Sequence, residues 1–320
     1  MSSGVEPLSA ANLRIGFIGV GLMGHGVAKN LLEKGFRLTV VGHRNRVPVE
    51  DLVSRGALEA HTAAEAARQN DVVFVCLTGS PQVEEAFYRP DGILAGAHHG
   101  LIVVDTSTSE PDSTLRLGAE LAKRGAILVD APLTRTPVEA EAGRLNTMVG
   151  ATPEIFEKLR PMLDAYCENV FHVGGPGAGH KLKLINNFMV LGMSAIVAEA
   201  ITTAAKAGVD IAKLYDVVSA GPLANGLLRN LVPKAIAGEF DGMKFQLANG
   251  QKDLRYYTHM AESLGATSFI GETIHQTFAL ASCLGFGASY VPSLIEAQAQ
   301  INGVPIGTLR GKEPKVGNQT

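Results

Sequence analysis

A glycine-rich turn between an apolar stretch and a helical pattern constrains the fold of this chain more than any other feature. Residues 13–19 are predicted to form a buried strand, which runs directly into a G-x-G-x-x-G motif over residues 19–24. A helical pattern to Lys34, a helix-ending Gly35 and a second apolar run over residues 36–41 follow. Strand, glycines, helix and strand within about 30 residues predict a βαβ unit that binds a dinucleotide.

Each glycine of the motif has its own predicted role. Gly19 permits the tight turn, Gly21 lets the backbone approach a pyrophosphate, and Gly24 allows the helix to pack closely against the strand. The pyrophosphate would bind the exposed N–H groups at the helix N-terminus, so Leu22 and Met23 are also predicted cofactor contacts. The alternative is an ordinary glycine-rich βα turn.

The composition of the chain excludes several classes of protein. Its 320 residues are 46% hydrophobic and 18% charged, which suits a globular protein of about two domains. A net charge of −3 offers no basic surface for nucleic acid, and we read no membrane span because no run of about 18 apolar residues occurs. The start of the chain lacks a signal-sequence pattern, and the 3 cysteines are too scattered for a disulfide framework or a metal site. We therefore expect a cytoplasmic protein without a metal, in which Cys76 fills a core.

The first half of the chain alternates predicted strands and helices. Apolar runs over residues 71–77, 101–105 and 126–130 are hydrophobic on both faces, and helical patterns separate them. Such runs predict a mostly parallel, doubly wound sheet with helices on both sides. Two later strands of the same domain are expected over residues 147–150 and 170–173.

A glycine-rich joint over residues 174–179 marks the expected domain boundary, which divides the chain into 1–174 and 175–320. Beyond the joint, Lys181 to Lys206 has helical spacing, with apolar residues around most of the helix circumference. This pattern predicts a long, buried helix that bridges the two domains. The remaining sequence predicts further helices, so the second domain is expected to be all-α.

The end of the second predicted strand bears on the choice of nicotinamide cofactor. An NAD-binding fold usually has Asp or Glu there, which bonds the adenosine ribose. This chain instead has Arg44, Asn45 and Arg46, with no carboxylate before Glu50. A guanidinium pairs well with a 2′-phosphate, so we favour NADP(H), with Arg44 ahead of Arg46 and Asn45 as a further contact. If Arg44 only stacks on adenine, NAD(H) would bind as well.

Lys183 is the predicted proton donor, because hydride transfer to a carbonyl leaves an alkoxide that needs a proton. Asn186 and Asn187 follow three and four residues later, so all three share one helical face. Apolar neighbours and the helix dipole would both lower the pKa of this lysine towards a useful value. A lysine on a solvated face is the alternative, and spacing alone does not separate Lys183 from Lys181. For His180 a surface or capping position is expected, and a role as a second acid is the alternative.

Four segments, in order, resemble the β-hydroxyacid dehydrogenase family, also called the 3-hydroxyisobutyrate dehydrogenase-related family. They are the glycine motif with its continuation to Leu31, Asp130-Ala131-Pro132 with residues 143–150, residues 177–187, and Lys252-Asp253-Leu254. The resemblance covers residues 13–300. It implies that Lys183 is the catalytic lysine, that Asn187 orients the substrate, and that Lys252 lies near nicotinamide and substrate.

The resemblance also implies an architecture and a reaction. The expected architecture is a Rossmann domain followed by an all-helical domain, with the site between them and subunits assembled as homodimers or homotetramers. The expected reaction is NAD(P)-dependent oxidation of a short 3-hydroxy acid, or reduction of its semialdehyde. Thr108 matches a family position near the nicotinamide, and Leu77 and Thr78 are also expected near the cofactor.

One departure from the family lies in its anion-holding loop. After Asp-Ala-Pro the family usually continues Val-Ser-Gly-Gly, whereas residues 133–136 here read Leu-Thr-Arg-Thr. This pattern is similar to the sulfolactaldehyde reductase branch, whose substrate carries a sulfonate. Arg135, with Thr134 and Thr136, would then hold the substrate anion.

The alternative for this loop is that Arg135 pairs with Glu139 or Glu141 and never meets substrate. Carboxylated aldehydes such as tartronate semialdehyde and succinic semialdehyde would then remain candidate substrates. Two further functions are alternatives: an imine reductase, and a non-catalytic NADPH-binding reader or sensor. Because both tend to lose the lysine that this chain keeps at Lys183, a reductase of small acidic aldehydes is favoured over both.

Overall fold

The computed structural model describes residues 13–42 and 44–309. The chain divides into two compact units, one that reaches to Leu184 and one that begins at Ile185. The predicted boundary at residue 174 precedes the long helix, whereas this division falls within it. The outer ends of both predicted domains, before Leu13 and after Leu309, lie outside the described residues.

The strands of the first unit form one sheet. In chain order they are β1 (Arg14–Ile18), β2 (Arg37–Val41), β3 (Leu58–Ala60), β4 (Val72–Val75), β5 (Ile102–Asp105), β6 (Ile127–Asp130), β7 (Leu133–Thr134), β8 (Leu145–Gly150) and β9 (Cys167–Gly174). The spatial order is β3-β2-β1-β4-β5-β6-β8-β7, and β9 pairs with β8. Strands β1 to β6 pair in parallel, β8 is antiparallel to β6 and β7, and β9 is parallel to β8. The predicted mostly parallel sheet is confirmed.

Helices connect these strands and cover the sheet. They are α1 (Gly24–Glu33), α2 (Val47–Ser54), α3 (Ala63–Gln69), α4 (Ser80–Tyr88), α5 (Ile93–Gly96), α6 (Pro111–Ala122), α7 (Pro137–Glu141) and α8 (Pro153–Leu163). Alternate side chains of a strand point to opposite faces, so a strand that is apolar throughout feeds two cores. Phe74 of β4 packs in the core that includes Leu31 of α1, whereas its neighbour Val73 packs in the core that includes Phe87 of α4.

The second unit, over the described residues 185–309, is built of helices. After α9 (Ala178–Lys206), which begins in the first unit, come α10 (Ile211–Ser219), α11 (Gly226–Ala237), α12 (Leu247–Ser263), α13 (Phe269–Ala281) and α14 (Leu294–Asn302). Short helical turns lie at Ser282–Phe286, Val291–Ser293 and Ile306–Leu309. The predicted all-helical second part of the chain is confirmed.

Helix α9 departs from its prediction in one respect. Leu184 and Leu191 are buried as expected, but Ile185 is 42%, Met189 67% and Ile196 66% exposed. The prediction of burial around most of the circumference is therefore wrong, because these three residues share a stripe that faces away from the helix's own core.

By length and composition alone α9 could cross a membrane, a test that the core helix of a soluble protein also passes.

Candidate active site

The glycine motif forms the turn between β1 and α1. Gly19 has a φ of +97°, and a Cβ there would lie 2.3 Å from the carbonyl oxygen of Cys76. A Cβ at Gly24 would lie 2.0 Å from the carbonyl oxygen of Gly19. Both positions therefore need glycine if the turn is to close. At Gly21, by contrast, a Cβ would meet no atom of the described residues within 4 Å.

The residues of this turn fit the pyrophosphate of a dinucleotide. The open space beside Gly21 lies at the N-terminus of α1, where backbone N–H groups and the helix dipole favour an anion. The first turn of α1 reads Gly24-His25-Gly26, so it brings no carboxylate against a phosphate. Leu22 is 82% exposed and Met23 is half-buried, so both can contact a bound cofactor.

The loop after β2 contains an ion pair that the sequence reasoning missed. Arg46 donates from Nη1 and Nη2 to the two carboxylate oxygens of Glu59, at 2.7 and 2.9 Å. These bonds raise the pKa of Arg46 and lower the pKa of Glu59. Glu59 was overlooked because it lies on β3, which pairs in parallel with β2 and so ends beside it. Arg44 is exposed, and Asn45 Oδ1 accepts a hydrogen bond from the backbone N–H of Val47 at 3.3 Å.

The turns after β4 and β5 are held together at the carboxyl edge of the sheet, where ligands of such folds bind. The backbone N–H of Leu77 donates to Ser107 Oγ at 2.9 Å. The backbone N–H of Ser107 and the hydroxyl of Ser109 donate to the two carboxylate oxygens of Asp105, both at 2.9 Å. The structure thus brings the turn of Leu77 and Thr78 beside the turn that carries Thr108.

Asp130 anchors the beginning of α9. Its Oδ1 accepts from the backbone N–H of Gly177 at 2.7 Å, and its Oδ2 accepts from that of His180 at 2.8 Å. The carboxylate is fully buried at the end of β6. A negative charge at a helix N-terminus is stabilising, so Asp130 fixes where the helix starts. The sequence had shown this residue only as part of a family segment, with no role.

Lys183 lies on the first part of α9 and is only 9% exposed, whereas Lys181 is half-buried. Asn187, one helical turn further, is 8% exposed. The alternative of Lys183 on a solvated face is therefore wrong. The expected surface or capping position of His180 is also wrong, because its side chain is completely buried.

The loop that follows β7 holds Arg135 in an unusual backbone conformation. Among residues 13–42 and 44–309, Arg135 is the one non-glycine residue with a positive φ, 82°. Its Nη1 donates to the carbonyl oxygen of Arg144 at 2.5 Å and also contacts Glu168. Glu139 instead bonds to Thr136, which caps α7. The alternative that Arg135 pairs with Glu139 is therefore wrong.

The actual partner, Glu168, lies on β9, the parallel neighbour of β8, and the sequence offered no sign of that pairing. Glu141, the other expected alternative, instead contacts Lys29 Nζ at 2.9 Å and His25 Nδ1 at 2.7 Å. Thr134, half-buried on β7, pairs in the sheet with Asn146 of β8.

The second unit contains its own polar cluster. Asn187 Nδ2 donates to Asp253 Oδ2 at 2.6 Å, and Lys252 Nζ lies 2.8 Å from Asp253 Oδ1. Asn186 Nδ2 lies 3.4 Å from Asn187 Oδ1. Asp253 is 2% exposed, so its carboxylate is a buried anchor for the amide and the ammonium groups. Sequence reasoning named Asp253 only as part of a motif and did not foresee that function.

Desolvation raises the pKa of the Cys76 thiol to about 11, so it is a poor nucleophile at neutral pH. In the part of the chain that the structure describes, no group of three or more His, Cys, Asp or Glu side chains could hold a metal ion. The glycine turn, the turns at the carboxyl edge of the sheet and the buried lysine are typical of an oxidoreductase that uses a nicotinamide dinucleotide.

Comparison with known proteins specifies the family. Residues 14–174 match the NAD binding domain of 6-phosphogluconate dehydrogenase, and residues 177–296 match the family described as NAD-binding of NADP-dependent 3-hydroxyisobutyrate dehydrogenase. The 2-hydroxy-3-oxopropionate reductase of Escherichia coli K12 is 31% identical, across 79% of this chain and 85% of its own. The 3-sulfolactaldehyde reductase of the same organism is 29% identical, across 88% and 94%.

A solved structure agrees with these relatives. The crystal structure of 3-hydroxyisobutyrate dehydrogenase from Salmonella typhimurium has a TM-score of 0.77 and 26% identity, and the match covers 89% of this chain and 99% of that one. The chain belongs to the 3-hydroxyisobutyrate dehydrogenase-related family, whose members are NAD(P)-dependent hydroxyacid dehydrogenases. The resemblance seen in its motifs is confirmed.

Proposed function

We propose that the protein reduces short anionic aldehydes to 3-hydroxy acids with NADPH, and catalyses the reverse oxidation. The observation that carries this proposal is the burial of Lys183 on a helix whose start is fixed by Asp130. A buried ammonium on a rigid element can be held in one geometry towards a reacting oxygen. The names of the relatives, a 2-hydroxy-3-oxopropionate reductase and a 3-sulfolactaldehyde reductase, support the same substrate class.

In the proposed reaction, Lys183 donates a proton to the carbonyl oxygen of the aldehyde. When bound, NADPH would supply the hydride for the carbonyl carbon. The carbonyl oxygen then becomes a hydroxyl group, and the lysine is left neutral. In the oxidation, the neutral lysine accepts the hydroxyl proton. Asn187 and Asn186 orient the substrate, and Lys252 contributes positive charge near the substrate and the nicotinamide.

We further propose that Thr134, Arg135 and Thr136 hold the acid group of the substrate. The positive φ of Arg135 supports this proposal, because such strain persists where a site requires it. Both contacts of Arg135 use Nη1, so the other edge of the guanidinium can serve an anion. An arginine in this loop favours a sulfonate, and carboxylates such as tartronate or succinic semialdehyde are the second choice.

The proposed site for cofactor selection is the exposed Arg44. Since Arg46 is paired twice with Glu59, its charge is already matched, and Arg44 is better placed to bind a 2′-phosphate. NAD(H) is the second choice of cofactor.

We also propose a homodimer or homotetramer in the cytoplasm, where the free Cys76, Cys167 and Cys283 would stay reduced.

A substrate panel tests the function. Sulfonated and carboxylated semialdehydes of equal length, together with cyclic imines, are assayed with NADPH and with NADH. We expect turnover of the anionic aldehydes, fastest with NADPH. Turnover of imines alone would favour an imine reductase, and cofactor binding without turnover of any compound would favour a reader or sensor.

Two lysine variants test the mechanism. Lys183→Ala should lower kcat by about 10²–10⁴-fold, the usual contribution of a general acid, with cofactor affinity close to normal. Lys181→Ala, on the same helix but half-buried, is the matched control and should keep kcat within about threefold of the wild type. Full turnover by the Lys183 variant would contradict the proposed mechanism.

A further inference from the structure

His180 is a buried polar residue that the proposed mechanism leaves without a task. It is the third residue of α9, and its side chain is 0% exposed. Its Nδ1 lies 2.7 Å from the hydroxyl of Thr114, on α6. Its Nε2 lies 3.2 Å from the carbonyl oxygen of Ser107 and 3.8 Å from Asp105 Oδ2.

These contacts fix how the imidazole bonds. A carbonyl oxygen can only accept a hydrogen bond, so Nε2 carries a hydrogen and donates it to Ser107. The Thr114 hydroxyl has one hydrogen, which it can donate either to Nδ1 or to the carbonyl oxygen of Glu110, 3.2 Å away. His180, Thr114, Ser107 and Asp105 are all at most 3% exposed. Because both ring nitrogens of His180 already contact protein atoms, the ring is suited to holding elements together.

The carbonyl that His180 binds belongs to the turn that organises the cofactor edge of the sheet. Ser107 accepts a hydrogen bond from the backbone N–H of Leu77 and precedes Thr108. Leu77, Thr78 and Thr108 are the predicted cofactor contacts after β4 and β5. The ring of His180 thus connects these two turns directly to the first turn of α9.

Helix α9 therefore has two separate anchors in the first unit. Asp130 holds its backbone N–H groups to the end of β6, and the ring of His180 holds it to the turn after β5 and to α6. Asp130 fixes the start of the helix, whereas an attachment through a side chain also fixes the rotation of the helix about its axis. Lys183 follows three residues after His180, on an adjacent part of the helix surface.

We infer that His180 is a positioning residue, which sets the direction of the Lys183 ammonium relative to the turns that bind the cofactor. The inference rests on the proposed role of Lys183. A displacement of about 1 Å at a reacting group can cost about 10²-fold in rate. The loss of His180 should therefore lower kcat strongly, with a much smaller change in the KM of the aldehyde.

Three substitutions separate the two bonds of the ring. His180→Leu fills the space without any hydrogen bond. His180→Gln places an amide N–H near the position of Nε2 and can keep the bond to Ser107, whereas His180→Asn reaches only the position of Nδ1. Tyr166→Phe is the control, because Tyr166 is fully buried in the same unit and its hydroxyl has no hydrogen-bond partner among the described residues.

We expect kcat to fall about 30- to 100-fold in His180→Leu and His180→Asn, and to stay within about fivefold of the wild type in His180→Gln. The primary isotope effect with NADPH deuterated at the transferred position should rise in the slow variants, because hydride transfer then limits turnover. Tyr166→Phe should retain the wild-type kcat. Tm is measured for every variant, since a merely structural role would make kcat follow Tm.

The inference is overturned if His180→Leu keeps the wild-type kcat, or if Gln and Asn variants lose activity equally and in proportion to their Tm. If His180→Leu does not fold, the comparison of Gln with Asn decides alone. Lys183→Ala is assayed in parallel. Wild-type turnover in that variant would remove the proposed mechanism itself, whereas a loss there with no effect at His180 would remove only this inference.

Discussion

At the scale of single residues, the glycines of the turn between β1 and α1 differ in whether the fold requires them. Gly19 has a positive φ and no room for a Cβ, so it is required for the fold. Gly21 has room for a Cβ, so the packing of the described residues does not require glycine there. One motif thus contains positions under two different physical constraints.

We predict that Gly21→Ala binds NADPH at least about tenfold more weakly while it keeps a Tm close to that of the wild type. The added methyl group enters the space where the pyrophosphate must approach. Gly19→Ala is the matched control and should lower Tm clearly, since its Cβ would clash with backbone. Cofactor titration and thermal unfolding measure both effects, and unchanged NADPH affinity in Gly21→Ala would place the cofactor elsewhere.

Asp253 offers a second prediction at this scale. Asp253→Asn should lower kcat/KM for the aldehyde about tenfold or more, because a charged acceptor for Asn187 and Lys252 is lost. Asp216→Asn is the control, since Asp216 only pairs with Lys213 on the surface. Steady-state kinetics of both variants is the measurement. Equal kinetics in the two variants would mean that the Asn187 orientation does not depend on Asp253.

Single residues also show what sequence reasoning can reach. The glycine motif is recognisable because its chemistry is tied to local spacing, whereas only the family resemblance separates Lys183 from Lys181. The roles of Glu59 and Asp253 are not recognisable in this way. Arg46 lies 13 residues from Glu59 and Asn187 lies 66 residues from Asp253, so each pair meets only through the tertiary fold. His180 was misjudged for the same reason, because a histidine beside a glycine-rich joint gives no sign of its burial.

At the scale of elements, the carboxylate of Asp130 caps the beginning of α9. Asp130→Ala should cost about 1–3 kcal/mol of unfolding free energy, because two buried N–H groups at the helix start lose a charged acceptor. It should also lower kcat, because Lys183 lies on this helix. Denaturant unfolding and steady-state kinetics measure the two effects.

The matched control for Asp130 is Asp210, whose side chain caps α10 by accepting from the backbone N–H of Ala212 at 2.8 Å. Asp210→Ala should cost about 0.5–2 kcal/mol and leave kcat unchanged. If Asp130→Ala were as active as this control, the anchoring of α9 would have no bearing on catalysis.

The elements themselves were largely predictable, because apolar strands between helical patterns specify a covered parallel sheet. The ends of the elements were harder to predict. Residues 71–77 were predicted as a strand, but β4 covers only Val72–Val75. Helix α9 begins at Ala178 and not at Lys181, because Asp130 supplies a cap that makes the glycine-rich joint helical. The exposed stripe of α9 was missed because apolar composition does not reveal which face a helix buries.

At the scale of the whole molecule, the cofactor should stabilise the folded chain. A ligand that binds only the native state at 100 times its Kd adds about 2.7 kcal/mol. We predict that NADPH raises Tm more than NADH at equal concentration, and that Arg44→Ala removes the difference. Arg46→Ala is the control and should keep it, since Arg46 is occupied by Glu59. A difference that survives in Arg44→Ala would assign the 2′-phosphate to another residue.

The position of Asp130 has a consequence for how relatives of this protein could diverge. Asp130, whose carboxylate binds the start of α9, is the last residue of β6. The residues proposed to select the acid group begin just beyond it, at Thr134. The residue that anchors the helix and the residues proposed to bind the substrate therefore lie close together in the sequence. We expect that exchanging residues 133–136 changes which acidic aldehydes the enzyme accepts, while Lys183 still donates the proton.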